Sequence, residues 1–193
     1  MAPTADGRRT GTRARIHATA LEMFTTHGYE RTTLAQVADR LGITRPALYH
    51  HFRSKEDLLT SAYDRLVPEL DDLTGRLRPA PAPWRTRRAA LDRFATLLSG
   101  ADGAVLVCAR VNEHALQGLP AAAEVLSRLD EIAQLLAPGA DVESRMRARL
   151  ALSALTMAAA RAPQLGGTDE TRHLAARTVA RELLAANRKP DDG

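Results

Sequence analysis

The sequence predicts an all-α protein, with a small N-terminal helix-turn-helix domain followed by a larger helical domain. Three observations predict it. Apolar residues recur three and four positions apart along most of the chain, no segment alternates as a strand would, and proline and glycine fall between the helical runs. The helix-turn-helix is placed by the stretch from Thr32 to Leu59, TTLAQVADRLGITRPALYHHFRSKEDLL, which reads as two short helices around a tight turn, followed at once by a third.

The first helix, from about Arg13, carries Ile16, Ala20, Met23 and Phe24 on one side; Gly28 ends it and Tyr29 packs after it. In the next, Leu34, Val37, Ala38 and Leu41 share a face, and Thr33 with Gln36 forms a capping box at its start. Gly42 suits the left-handed stop, and Ile43 plugs the turn. Thr44 caps the third helix, and Pro46 sits in its first turn, where a missing N–H costs nothing. Leu48 and Phe52 face inward there. Thr44, Arg45, Ala47, Tyr49, His50 and His51 are left to face outward, as in a helix that reads the DNA major groove. Ser54 with Asp57 caps a long helix through Leu58, Leu59, Ala62, Tyr63 and Leu66.

Val67-Pro68 is expected to kink or locally end that helix before its period resumes at Leu70, Leu73 and Leu77. The run from Pro79 to Pro83 is a stiff connector. Further helices are predicted from Trp84 to Leu98, with Leu91, Phe94, Ala95 and Leu98 inward, from Asp102 to Leu116, and from Pro120 to Leu136. The last two run from Asp141 to about Ala162 and from Thr168 to about Asn187. The domain reading is a disordered basic tail over 1–12, a helix-turn-helix domain over 13–66 whose connecting helix starts at about 54, a second domain over 67–188, and a disordered tail over 189–193.

The 193 residues carry a net charge of +4 and a pI of about 9.8. Arg8, Arg9, Arg13 and Arg15 near the N-terminus suit a phosphate backbone. The single cysteine, Cys108, excludes an intramolecular disulfide framework and reads as a small core residue rather than a redox sensor. The first residues lack the apolar stretch of a secretory signal, and the longest uncharged run, Leu150 to Ala160, is too short to span a bilayer. A cytoplasmic protein without membrane association is expected. Catalytic constellations are missing from the sequence. His50 and His51 are adjacent and so cannot face one metal together, His17, His27, His114 and His173 lie far apart, and neither a phosphate-cradling glycine loop nor GxSxG occurs. The chain is therefore not expected to be an enzyme or to need a cofactor or metal.

From about Arg13 to Leu66 the chain resembles the DNA-binding domain of the TetR family of transcriptional regulators. The resemblance rests on Phe24 and Gly28, the Thr32-Thr33 pair, Val37-Ala38, Leu41-Gly42-Ile43, and Leu48-Tyr49-x-His51-Phe52-x-Ser54-Lys55-x-x-Leu58. Beyond Leu66 only the layout is similar. The resemblance implies about nine helices and a C-terminal domain that binds ligand and dimerises. It matches Thr33, Tyr49 and Lys55 to backbone-contact positions, and it makes His51 the usual histidine near the end of the reading helix. Base reading then falls to Arg45, Ala47, His50 and Thr44, since arginine pairs bidentately with guanine and an alanine methyl meets thymine. Ala35 stands where some members carry a base-reading basic residue, so that contact is expected to be missing.

The last two helices carry small and apolar stripes, Ala151, Ala154 and Ala158 on one, Ala175, Val179, Leu183 and Ala186 on the other. The resemblance implies a four-helix homodimer interface there, with Ala151, Ala154, Ala158, Val179 and Leu183 in it. Cys108, Arg110, Asn112, His114 and Arg161 are the candidate lining of an effector pocket. The expected function is a dimeric, sequence-specific regulator of transcription on a palindromic double-stranded operator, a repressor released by a small-molecule effector. The alternative is the same regulator without an effector, controlled by a protein partner or by abundance. The helix from Ser54 is expected to be the only long element touching both domains.

Overall fold

The computed structural model describes residues 5–79, 81–100, 102–137, 139, 141–160 and 163–188. Among them are nine α-helices, one 3₁₀ turn over Pro163–Leu165, and no strand. Helices α1 (Ala5–His27), α2 (Leu34–Leu41) and α3 (Arg45–His51) form the N-terminal head. Helix α4 (Lys55–Leu77) leads into the second domain of α5 (Trp84–Ser99), α6 (Gly103–Val111), α7 (Pro120–Leu136), α8 (Val142–Ala159) and α9 (Asp169–Ala185). The order matches the all-helical layout read from the sequence.

The caps explain the short helices. Thr33 accepts the Gln36 N–H while the Gln36 side chain takes the Thr33 N–H, so α2 starts with a complete capping box. Gly42 ends α2 at φ 66°, a left-handed conformation that a side chain would strain. Its N–H and that of Ile43 return to carbonyls of the last turn, which fixes the entry into α3. Ser54 and Asp141 cap α4 and α8 in the same side-chain manner.

Three boundaries depart from expectation. Helix α1 begins at Ala5, inside the segment read as a disordered tail, because nothing in its sequence stops a helix once Ile16, Ala20 and Phe24 have docked it. Residues 189–193, the other assigned tail, lie outside the described residues. Helix α4 runs unbroken through Pro68 to Leu77. The ring removes one backbone bond, but Leu66, Leu70, Leu73 and Leu77 are fully buried on one side and hold the helix through it. Helix α6 stops at Val111 rather than Leu116, because Asn112 turns its side chain onto α1 and caps the helix there.

One apolar core runs through both domains, from Ile16, Phe24, Val37, Leu48 and Phe52 in the head, along α4, to Phe94, Leu106, Leu136 and Leu155. Around it, the seams of the second domain are fastened by arginine–carboxylate pairs. Arg128–Asp71 and Arg78–Glu131 join α7 to α4 and the chain just beyond it, and Arg93–Glu69 joins α5 to α4. Arg181–Asp92 joins α9 to α5, and Arg149–Asp130 joins α8 to α7.

Candidate nucleic-acid interface

Helix α3 has one buried residue, Leu48, and its C-cap Phe52 is fully buried. Those two contacts leave Thr44, Arg45, Ala47, Tyr49 and His50 exposed on one continuous face, with Tyr49 at 50%. His51 is half-buried. The Thr44 hydroxyl accepts the Ala47 N–H at 3.3 Å, so its first role is the cap. Arg45 reaches Asp39 of α2 at 3.9 Å with both side chains largely exposed, a contact that steers the guanidinium without consuming it. Thr33 is bonded within its capping box, donating its hydroxyl to Gln36 Oε1 at 3.1 Å.

Lys55 sits differently from its expected phosphate position. Its Nζ donates to the Tyr29 carbonyl at 2.8 Å and lies 4.2 Å from the centre of the Tyr29 ring. Tyr29 is bonded at every polar atom. Its hydroxyl donates to Glu56 of α4 at 2.7 Å, and its N–H donates to Asn112 Oδ1 at 2.9 Å. Its ring meets Phe24 edge-on at 5.2 Å. Burial and the Glu56 bond push the Tyr29 phenol well above its ordinary range, and the same bond holds Glu56 below the usual carboxylate range.

Two residues of α1 reach the end of α3. Arg13 donates from Nη1 to the His51 carbonyl at 3.0 Å, with its guanidinium 4.2 Å from the Phe52 ring centre. His17 packs on the same ring, centroids 4.7 Å apart. Arg65 donates to His17 Nδ1 at 3.1 Å, and His17 Nε2 lies 3.0 Å from Ser61 Oγ, which itself donates to the Leu58 carbonyl. The imidazole is thus neutral with its proton on Nε2. Burial first, then the Arg65 and Arg13 charges, lower its pKa to about 4, with Asp57 opposing.

The candidate effector residues do not converge. Cys108 is buried in the core, and burial pushes its thiol up to about 12, which makes it inert. Asn112 is 7% exposed and ties α6 to α1, donating to the Phe24 and Cys108 carbonyls as well as accepting from Tyr29. His114 is exposed, and Arg161 lies outside the described residues. Arg110 lines a cleft of about 30 Å³ with Phe94, Leu129, Arg149 and Leu152. Two larger hollows, of about 570 and 650 Å³, are open surface grooves along α7 and α8 and along α7 alone with the turn before it. Among the described residues no cluster of His, Cys, Asp or Glu suits a metal ion, and no single helix is long and apolar enough to cross a membrane.

The stripes of the last two helices separate by face. Ala151 and Ala158 are at 0% and 1% exposure within their own subunit, so they are core residues of that subunit and not a surface for a partner. Ala154 and Leu183 are half-buried, and Val179 is exposed. The outward apolar face of α8 is Val142, Met146, Leu150 and Met157, and the exposed large apolar residues of α9 are Leu174 and Val179. A four-residue spacing from Val142 through Leu150 to Ala154 carries that face in the sequence; the alanines hid it, because small residues serve close packing inside a subunit equally well. Nothing in the sequence pairs Asn112 with Tyr29 or His17 with Phe52, since those partners meet only through the fold.

Residues 16–62 match the family model described as bacterial regulatory proteins, tetR family. An uncharacterised HTH-type transcriptional regulator of Mycobacterium tuberculosis is 31% identical over 118 residues, 58% of this chain and 60% of that protein. The HTH-type transcriptional repressor KstR2 of Rhodococcus jostii is 35% identical over 88 residues, 46% of this chain and 42% of the repressor. The chain thus aligns with only about half the length of these curated relatives. In fold it resembles the ketosteroid transcriptional regulator KstR2 of Mycobacterium tuberculosis over 97% of this chain and 98% of that one, at TM-score 0.64 and 22% identity. With a capped helix-turn-helix where the family model matches, residues 16–62 form a helix-turn-helix domain of the tetR type of bacterial regulatory proteins, and beyond it the chain shares the helical fold of such regulators.

Proposed function

We propose that the protein is a homodimeric, sequence-specific DNA-binding regulator that represses transcription from a palindromic operator. The observation that carries this reading is the outward face of α3, a seven-residue helix held by Leu48 and Phe52 so that Arg45, Ala47, Tyr49 and His50 all meet solvent. Arg45 and Ala47 are the base readers; Thr33 and Tyr49 offer hydroxyls to phosphate, with His50 and His51 at the end of the helix. Lys55 reaches phosphate by exchanging the Tyr29 carbonyl for it. Two reading helices related by a dimer axis demand a two-fold symmetric site. The dimer is supported by the outward apolar face of α8 and α9, with Met146, Leu150, Ala154, Met157, Val179 and Leu183 as its members. Selection of bound duplexes from a random library, followed by footprinting, tests the reading: a palindromic consensus is expected, and enrichment of no sequence would refute it.

Release by a small-molecule effector is the regulatory half of the proposal. Its support is the geometry of the bridge between domains, where α4 enters both and α6 packs on α1 through Asn112. Helix α4 is therefore one of two bridges rather than the only one. The rival, control by a protein partner or by abundance, is favoured by the tightness of the Arg110 cleft: at about 30 Å³ it holds one water, whereas ligand sites usually offer roughly 300–1,000 Å³. Metabolite screening by thermal shift, followed by operator binding with each hit, separates them. An effector opens the cleft and lowers operator affinity; hits that stabilise the protein without moving that affinity leave the rival ahead.

A further inference from the structure

We propose that Arg13 is a positioning residue for the reading helix, gripping its C-terminal end, and not a phosphate contact of a basic tail. The inference rests on α3 being the DNA-reading element. Helix α3 is two turns long, so most of its carbonyls lack a helical N–H to accept. The Phe52 N–H returns to the Leu48 carbonyl, and Arg13 supplies the donor for His51 at 3.0 Å. A cation at the C-terminal end of a helix also complements its dipole. The same guanidinium lies 4.2 Å from the centre of the Phe52 ring, and one turn along α1 the His17 imidazole packs on that ring. His17 is in turn bonded to Ser61 and Arg65 of α4. Arg13 and His17, four residues apart on α1, therefore hold Phe52 together and tie the end of α3 to both neighbouring helices.

The grip matters because α3 has so little else. Leu48 is the one residue within the helix that is buried, and a single contact leaves a short helix free to pivot about it. The Phe52 end sets the angle at which Arg45, Ala47, Tyr49 and His50 are presented. Base-edge hydrogen bonds are directional and fail on small displacements, whereas attraction to phosphate tolerates them. Loss of the grip thus removes sequence preference before it removes affinity. In Arg13 the flat guanidinium lies on the Phe52 ring while its Nη1 reaches the carbonyl of the neighbouring residue, His51, a span across two residues that a lysine ammonium, as a point charge, does not reproduce.

The test compares wild-type, Arg13→Met and Arg13→Lys on the selected operator and on a scrambled duplex across a salt series. Arg13→Met is expected to cut the preference for operator about five- to tenfold. Scrambled-DNA affinity and the salt slope stay as in wild-type, and Arg13→Lys does not restore the preference. If Arg13→Met weakens both duplexes equally with a slope shallower by about one, and Arg13→Lys recovers both, Arg13 is a phosphate contact and the proposal is overturned. Amide hydrogen exchange on DNA-free protein gives a second reading: faster exchange at Leu48 and Phe52 in Arg13→Met supports the grip, and unchanged exchange there overturns it. A wild-type protein that prefers no duplex sinks the DNA-reading function, and the exchange comparison still decides the grip.

Discussion

Asn112 holds Tyr29 by its backbone: the amide oxygen accepts the Tyr29 N–H at 2.9 Å, while the amide nitrogen donates to the Phe24 carbonyl at 3.1 Å. One side chain of α6 thereby satisfies a donor and an acceptor on either side of the Gly28 turn that ends α1. Since Tyr29 also takes Lys55 and Glu56, the base of the N-terminal head and the second domain meet at one residue.

Replacing Asn112 with leucine strands the buried Tyr29 N–H. Asn112→Leu is expected to lower unfolding stability by about 1–3 kcal/mol, the cost of an unsatisfied buried polar group, as read from the urea midpoint at constant slope. Asn112→Asp keeps the acceptor and is expected to lose less. Equal stability of wild-type and the leucine variant would show that the tie contributes nothing.

His17 makes stability fall in mild acid. Its folded pKa of about 4 lies below the ordinary histidine value of 6.5, so the folded state binds fewer protons and stability rises with pH between those two values. The contribution is complete above pH 6.5, declines as pH falls, and is gone below about 4, with up to about 3 kcal/mol at stake. Denaturation midpoints from pH 7 to 4 are expected to fall more steeply in wild-type than in His17→Gln. Parallel curves would remove His17 from the account.

The two faces of α8 respond oppositely to charge. Leu150→Glu, on the outward face, is expected to give a folded monomer with weakened operator binding, whereas Ala151→Glu, fully buried beside it, is expected to unfold the domain. Multi-angle light scattering with circular dichroism distinguishes these outcomes. A wild-type monomer at micromolar concentration would defeat the dimer proposal.

On the proposed function, Arg45 and Lys55 divide reader from anchor. Arg45→Ala is expected to relax preference at one base pair per half-site by about 1–3 kcal/mol. Lys55→Ala weakens all duplexes and flattens the salt slope, and because Lys55 also bonds the Tyr29 carbonyl it lowers thermal stability. Competition binding on single-substitution operators, with melting curves, reads all three effects; like behaviour of the two variants would dissolve the division.

The head was legible in the sequence because its determinants are local. Thr33-Gln36, Gly42, Pro46 and Ser54 each act within four residues, and capping chemistry needs no knowledge of tertiary partners. The outward set on α3 followed from Leu48 and Phe52 alone. Lys55 was placed by position, and the fold turned its ammonium onto a carbonyl 26 residues away. The end of α6 misled for the same reason, since the periodic pattern continues past Asn112 and only the approach of α1 stops the helix there. The alanines of α8 were ambiguous by nature: a small side chain at a helix contact looks alike whether the other helix belongs to the same subunit or to a second one.

The arginine seams of the second domain have an electrostatic counterpart in the head. There Arg13 bonds the His51 carbonyl, Arg31 the His27 carbonyl, Arg65 the His17 ring, and Lys55 the Tyr29 carbonyl, all neutral acceptors. In the seams the acceptors are aspartates and glutamates. Those four cations thus keep their charge unneutralised by the groups they bond, whereas Arg45 of the head, like the seam arginines, faces a carboxylate. Cations bonded to neutral carbonyls and a neutral imidazole around α3 keep their full attraction for a polyanion while still serving as struts of the fold.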